Sequence, residues 1–588
     1  MLRTVSEVFD ETAKRVGHHP ALRVKRGGRV EVMTWSGYRE TTRKAARGLI
    51  ALGLEPGRAI SIVGFNSPEW VIADVGAILA GGRPAGIYTT SSPAQCRYIA
   101  HHSESQVVVA ESGAQVKKIV EIRDQLPQLK AIVQMTGKPE HEGVLSWEEL
   151  LKRGDDVPEA DLDARIALQK PEDVCTLIYT SGTTGEPKAV MISHKNLTWS
   201  ASTVIARLGF TEKERAVSYL PLSHIAEQIL TIHGPMGMGS QVTFAPSVDG
   251  VLEAMAEVHP TYFLGVPRVW EKIEAKMKAT AEASPRVRRE ILAWARGVGL
   301  KGGEARERGE ALPFLYPLAN KLVFSKIKHR LGLDECRMPI TGAAPISRST
   351  LDFFRSVGLD IYEVYGMSEC TGAATFSAPD SYRLGKAGFV VPGSEVRIAE
   401  DGEVCIRGHH VFAGYFKDDA ATAATIDAEG WLHSGDIGTL EGGFLQITDR
   451  KKDLLITAGG ENIAPQVLEG KLKSIPVVAQ AVVVGDRKKY LAALLTLDID
   501  RITHEAEACG SPARDVAEAA VCAIFKKHVE GLVEGVNRDL ARVQTIKRIS
   551  IIPTDFSVDS GELTPTMKVK RKVVNEKYKS LIEAMYIE

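Results

Sequence analysis

From Arg39 to Met135, short apolar runs alternate with stretches of helical period, and this alternation is the strongest constraint on the fold. Arg39–Leu52 carries apolar residues at helical spacing and ends at Gly53, a good C-cap residue. Ala59–Val63, Gln106–Ala110 and Ala131–Met135 read as short buried strands, and Trp70–Ala80 as a further helix. Strands separated by helices predict an α/β fold, with parallel or mixed sheets covered by helices. At 588 residues the chain exceeds what one core holds, so several domains or subdomains follow.

A run of five charges, Asp449-Arg450-Lys451-Lys452-Asp453, interrupts two apolar strands, Phe444–Thr448 and Leu454–Thr457. Beyond it, Gln480–Val484 and Leu491–Leu497 flank a charged turn and predict a hairpin. Asp515–Arg542 predicts one helix, with Val521, Phe525, Val529, Leu532, Val536 and Leu540 at apolar positions, and Ile546–Ile552 a last strand. The chain therefore divides into a large N-terminal domain of βα-layered sheets, residues 1–451, and a smaller α+β domain, residues 452–588. Residues 271–336 are dense in Lys, Arg and Glu, with a Gly-rich break at Gly297–Gly303. They read as helices with solvated charged faces inserted between core elements. The other reading is a basic surface touching lipid headgroups.

Composition removes several function classes. The net charge of −1 supplies no basic field for nucleic acid. Seven cysteines lie singly, with no C-x-x-C pair, so neither a zinc site nor a disulfide framework is expected, and reduced thiols point to the cytoplasm. Met1-Leu2-Arg3-Thr4 leads straight into an amphipathic pattern rather than a signal peptide. The most apolar long stretch, Trp70–Tyr88, is interrupted by Asp74 and Arg83, so no transmembrane segment is expected and any membrane contact is peripheral.

The chemistry is concentrated in Thr180-Ser181-Gly182-Thr183-Thr184-Gly185-Glu186-Pro187-Lys188. Bare backbone N–H groups, hydroxyl donors and a lysine within one loop suit a polyphosphate. The loop is not a Walker A sequence, because Ala189–Ser193 reads as a second strand rather than a helix. It predicts a hairpin tip lying over phosphates, against the plainer alternative of a Gly/Thr-rich turn.

Other segments offer matching groups. In Ile361–Glu369, Tyr365 can stack on a flat base, Gly366 admits close backbone approach, and Ser368 can donate to a phosphate. Glu369 supplies a hard oxygen suited to Mg²⁺. The small-residue turn Gly342-Ala343-Ala344 lets a flat ligand lie on backbone, or simply packs tightly. Asp436, just after the Gly435 turn, can accept from a ribose diol, with Arg450 on the other side of the sugar. Lys568 follows Thr564-Pro565-Thr566 between Met567 and Val569, a turn that positions it better than a free helix face would.

Taken in order, these segments resemble the adenylate-forming superfamily of acyl-CoA synthetases, firefly-type luciferases and peptide-synthetase adenylation domains. Its motifs appear as the 180–188 loop, Tyr365–Glu369, Ser434-Gly435-Asp436, Asp449–Asp453, Gly459-Gly460-Glu461-Asn462 and the turn ending in Lys568, and the resemblance covers nearly the whole chain. Within the superfamily the chain looks most like long-chain fatty acid–CoA ligases of the bubblegum type, through Tyr219–Gln228, Gly265–Lys272 and Ile456–Asn462. Ser368 stands where threonine is commoner, and keeps the hydroxyl.

The resemblance implies two half-reactions: fatty acid and ATP give acyl-AMP and diphosphate, then CoA displaces AMP. It implies Mg²⁺ at Glu369, the β- and γ-phosphates on the 180–188 loop, and Lys568 between the carboxylate and the α-phosphate. Adenine would lie at Tyr365 and Gly342–Ala344, ribose at Asp436 and Arg450, and His224 beside the substrate carboxylate. His224 on its own context reads equally as a packed core histidine. The resemblance further implies a hinge at Lys452 that swings a mobile C-terminal domain, withdrawing Lys568 and bringing Gly459, Gly460 and Glu461 toward the CoA side. Two alternatives are a fatty acyl-AMP ligase feeding a carrier protein and a non-catalytic acyl or nucleotide sensor.

Overall fold

A computed structural model describes residues 2–180, 186–456, 461–558, 560–564 and 568–587. The predicted alternation is present. The helix Trp35–Ala51 stops before Gly53, whose φ of +87° is the left-handed conformation that ends a helix. Strands Ala59–Val63, Ser105–Ala110 and Ala131–Gln134 are buried along their whole lengths. The second helix runs Pro68–Leu79, with Ser67 accepting from Trp70 N–H and Pro68 in the first turn. All twelve of its residues are buried, so the most apolar stretch in sequence, Trp70–Tyr88, is an internal core helix followed by the largely buried strand Arg83–Ile87.

Two large sheets organise the first three quarters of the chain. In the eight-stranded sheet, Ala59–Val63 lies between Arg83–Ile87 and Ser105–Ala110, all parallel. Val174–Thr180 continues it in parallel beside Arg83–Ile87, then pairs antiparallel with Lys188–Ser193. The hairpin expected around the 181–187 loop is therefore the flank of a mostly parallel sheet. The nine-stranded sheet begins with the parallel strands Tyr262–Gly265, Met338–Thr341 and Tyr362–Met367, and ends in antiparallel hairpins. One apolar cluster takes Trp70, Ile78, Ile178 and Val190 together with Val404, Leu432 and Leu445, which ties the two sheets into one body.

Residues 455–587 build their own apolar cores around Val478–Val484, Leu491–Leu497 and Ile546–Ile551. Polar contacts join them to the rest: Lys473 to Glu271 at 3.0 Å, Arg268 to Asp555 at 3.2 Å, Arg501 to Glu282 at 3.4 Å, and Gln466 N–H to Asp449 at 3.0 Å.

Three local expectations are corrected. Gly297–Gly303 is not a break, because the helix Arg286–Arg308 runs through it. A Cβ on Gly299 would lie 2.1 Å from the Ser356 carbonyl oxygen, and one on Gly303 2.3 Å from Arg355 Cγ. The glycines thus let this helix pack closely on Arg348–Ser356. The single helix expected over Asp515–Arg542 divides at Cys522, whose ψ of 115° is extended, into Val516–Val521 and Ala523–Asn537. The charged run 449–453 begins inside a strand, since Phe444–Arg450 continues its ladder through Asp449 and Arg450.

Candidate active site

The predicted motifs sit at the carboxyl ends of parallel strands, where open α/β sheets leave room for ligands. Thr180 ends Val174–Thr180, Gly342–Ala344 follows Met338–Thr341, and Ser368 and Glu369 follow Tyr362–Met367. A cleft of about 3160 Å³ collects these ends. Thr180, Lys188, His224, Gly342, Ala343, Ala344, Tyr365, Gly366, Ser368, Glu369, Asp436, Arg450, Lys452 and Lys568 all line it. Glu461 does not. Ser181, Gly182, Thr183, Thr184, Gly185, Gly459 and Gly460 lie outside the described residues.

Asp436 and Arg450 are not loop residues. They face each other on the antiparallel strands Leu432–Glu441 and Phe444–Arg450, because that sheet face opens on the cleft and tolerates charge. Arg450 Nε lies 3.2 Å from Asp436 Oδ1, and the Tyr365 hydroxyl donates to Oδ2 at 2.8 Å. Burial and the Asp436 carboxylate hold the Tyr365 hydroxyl well above its usual pKa, so it remains a donor. Gly366 is sterically required: a Cβ there would fall 1.6 Å from the Gly372 carbonyl oxygen. Ala343 adopts φ +68°, uncommon for a residue with a side chain, at the turn expected to receive a flat ligand.

Glu369 sits in the short turn Ser368–Cys370 and accepts from the Tyr415 hydroxyl at 2.7 Å through Oε1. Its Oε2 has no protein hydrogen bond among the described residues. The Tyr415 ring also lies 4.8 Å beneath the Lys188 ammonium, which is 3.8 Å from Asp418. Sequence reasoning missed Tyr415: it lies 46 residues beyond Glu369 on a two-residue strand, and no local pattern announces it.

Lys568 is tied back to Thr564: Thr564 N–H donates to the Lys568 carbonyl at 2.7 Å, and Lys568 N–H to Thr564 Oγ1 at 3.0 Å. Glu562, just before Thr564, accepts from Lys577 at 2.6 Å and from the Tyr578 hydroxyl at 2.9 Å. Burial alone would raise the Glu562 pKa, but hydrogen bonds from Lys577, the Ser560 hydroxyl, the backbone and Tyr578 outweigh it and hold the carboxyl at about 2. The Lys568 amine is pushed down to about 8 by burial and the Arg450 guanidinium, against the opposing pull of Asp436 and Glu369. Residues far apart in sequence are thus within electrostatic reach of one amine.

His224 caps a short helical turn, and its Nδ1 accepts from Ala226 N–H at 3.2 Å. Burial and the Lys568 charge push its pKa to about 4. The ring is neutral, and with Nδ1 accepting, its proton is on Nε2. The same cleft also carries the apolar side chains of Val204, Leu208, Ile229, Leu230, Leu264 and Ile340. Ile229–His233 forms a π-helical turn; such turns often occur at functional sites. The sequence carries no periodic signal for it.

The AMP-binding enzyme family matches residues 9–416, and the AMP-binding enzyme C-terminal domain matches residues 452–588. The chain belongs to the AMP-binding enzymes. Its relatives include the long-chain-fatty-acid–CoA ligase ACSBG2 of Xenopus laevis, 43% identical, with 99% of this chain and 84% of the relative covered. The ACSBG1 ligase of Rattus norvegicus is 40% identical, with 100% of this chain and 86% of the relative covered. Among solved structures, an anthranilate CoA ligase in complex with anthranoyl-AMP aligns with a TM-score of 0.76 at 19% identity, over 99% of this chain and 98% of that one. The adenylation domain of a Mycobacterium chelonae carboxylate reductase aligns with a TM-score of 0.77 at 21% identity, over 100% of this chain and 91% of that one. These two establish the shared fold. No described helix is long and apolar enough to cross a membrane.

Proposed function

We propose that the chain is an AMP-forming long-chain fatty acid–CoA ligase, converting fatty acid, ATP and CoA to acyl-CoA, AMP and diphosphate through acyl-AMP. The observation that carries this reading is Lys568, a half-buried cation from the C-terminal part, which lines the same cleft as Glu369, Asp436 and Arg450 and acts electrostatically on neutral His224. A fatty carboxylate must reach the α-phosphorus of a polyanion. Two unit charges 4 Å apart repel by about 4 kcal/mol at an effective dielectric near 20. A cation between carboxylate and phosphate removes most of that barrier, and His224 Nε2–H adds a donor without adding charge. The names of the relatives at 40% identity and above support the same substrate class.

In the first half-reaction a carboxylate oxygen attacks the α-phosphorus, and the bond to the β-phosphate oxygen breaks to release diphosphate. Thr180 through Lys188 grips the β- and γ-phosphates. Gly342–Ala344, Tyr365, Gly366 and Ser368 receive the adenine side of AMP. Asp436, fixed by Tyr365 and Arg450, accepts from the ribose hydroxyls. The donor set fits Mg²⁺, since Glu369 offers a hard oxygen with no protein hydrogen bond among the described residues, and Tyr415 holds the carboxylate in place. When bound, Mg²⁺ neutralises phosphate oxygens and orients the leaving group.

In the second half-reaction the CoA sulfur attacks the acyl carbonyl and the bond to the phosphate oxygen breaks, releasing AMP. Residues 452–588 turn about Lys452, withdraw Lys568, and bring Gly459, Gly460 and Glu461 to the thiol side. Lys452 lies in an exposed turn whose neighbour Lys451 is anchored to Asp401 and Glu403. Diphosphate exchange across carboxylic acids of increasing length, repeated with CoA, tests the reading. Exchange with long-chain acids and formation of acyl-CoA are expected. Exchange without acyl-CoA would indicate transfer to a carrier protein, and no exchange with any acid would refute ligation.

A further inference from the structure

We propose that residues 312–322 and the basic helices flanking them form a docking surface for an anionic lipid bilayer. Five large apolar side chains in this segment are exposed: Leu312, Phe314, Leu315, Leu318 and Leu322, with Phe314 96% accessible. They are not the outside of a frayed loop. Tyr316 and Ala319 of the same segment, with Phe324 just beyond it, pack inward against Ala295 and Trp294, and Arg306 donates to the Tyr316 hydroxyl at 2.8 Å. Leu315, Leu318 and Leu322 share one face at helical spacing, so a folded, anchored element presents an apolar ridge to solvent.

Charge identifies the occupant. Residues 286–330 hold eleven Lys and Arg against four Glu, a local +7 in a chain whose net charge is −1. Arg288, Arg289, Lys301, Lys321, Lys326 and Arg330 are exposed and have no ion-pair partner among the described residues. An apolar ridge flanked by unpaired cations matches the boundary between anionic headgroups and acyl chains. A second copy of this chain fits poorly, because it would bring +7 against +7. The inference differs from a headgroup contact read from charge alone, since it names the apolar ridge that inserts. Its use, taking the acid from the bilayer in which long-chain acids reside, rests on the ligase reading; the binding itself does not.

The test is sedimentation of the full chain with phosphatidylcholine vesicles, with and without phosphatidylserine, at two salt concentrations. Binding to the phosphatidylserine vesicles that weakens with salt is expected. Phe314→Asp with Leu318→Glu should reduce it by about tenfold or more, and Lys321→Glu with Lys326→Glu should reduce it by roughly tenfold. Thermal unfolding and acyl-AMP formation from a soluble medium-chain acid should match the parent protein in both variants. Equal vesicle binding by parent and variants, or none by the parent, overturns the proposal. So does a reversible dimer that Phe314→Asp dissociates in the absence of vesicle binding. If ligation fails for every acid while vesicle binding persists, the functional reading falls and the surface stands.

Discussion

The alkaline limb of adenylation should be set by Lys568. With a pKa of about 8, roughly nine in ten of these amines carry a proton at pH 7 and roughly one in ten at pH 9. In the proposed mechanism it is the protonated form of Lys568 that offsets the repulsion between carboxylate and α-phosphate, so kcat/KM for diphosphate exchange should fall about tenfold from pH 8.5 to 9.5 or so. The bound triphosphate adds negative charge around the amine and raises its pKa, so the kcat limb should lie at higher pH than the kcat/KM limb. Lys568→Arg supplies a group charged throughout this range. It should exchange more slowly, because the planar guanidinium does not reproduce the ammonium's position, but its alkaline limb should disappear. Lys568→Ala should abolish acyl-AMP formation while sparing thioester formation from supplied acyl-AMP. His224, with a pKa near 4, should contribute no limb above pH 5 or so. A wild-type profile flat to pH 9.5, or an Arg variant that keeps the limb, would refute the assignment; both follow from isotope exchange across a pH series.

Glu369→Gln should raise the Mg²⁺ concentration needed for half-maximal exchange, read by metal titration; an unchanged titration would remove Glu369 from the metal site. Lys452→Pro fixes φ at the turn between the two parts and should block one half-reaction while leaving the other, measured by separate adenylation and thioesterification assays. Gly299→Ala places a methyl 2.1 Å from the Ser356 carbonyl oxygen and should cost about 1–3 kcal/mol in chemical denaturation. Asp74 is buried without a hydrogen-bond partner among the described residues, and burial raises its pKa to about 8. Its folded-state pKa lies above the unfolded value, so its contribution is fully present below about pH 4 and is lost as pH rises through about 8. Asp74→Asn should therefore flatten the pH dependence of stability over that window.

The βα alternation and the hairpin at 174–193 were legible because period and turn chemistry are local. The helix through Gly297–Gly303 was not: in isolation those glycines mark a weak point, and only the neighbouring helix at 348–356 explains them. Asp436 and Arg450 illustrate another limit. Their residue types suggested a sugar contact, but a charged run reads as a loop until the strand pairing that carries it is known. Tyr415 was invisible because its partner is fixed by tertiary structure, while Lys568 was found through its motif and its environment only through folding.

The polar joint between residues 455–587 and the larger body has a consequence for how the protein responds to its medium. Its ion pairs, Lys473 with Glu271 and Arg268 with Asp555 among them, are only partly shielded from water, so dissolved ions still compete for each charge, the more exposed Asp555 most. At physiological ionic strength screening acts over about 8 Å. Separating the parts exchanges these pairs for hydration and opens neither apolar core. If residues 452–588 turn about Lys452 as proposed, the docked population, and with it the balance between the two half-reactions, would vary with ionic strength.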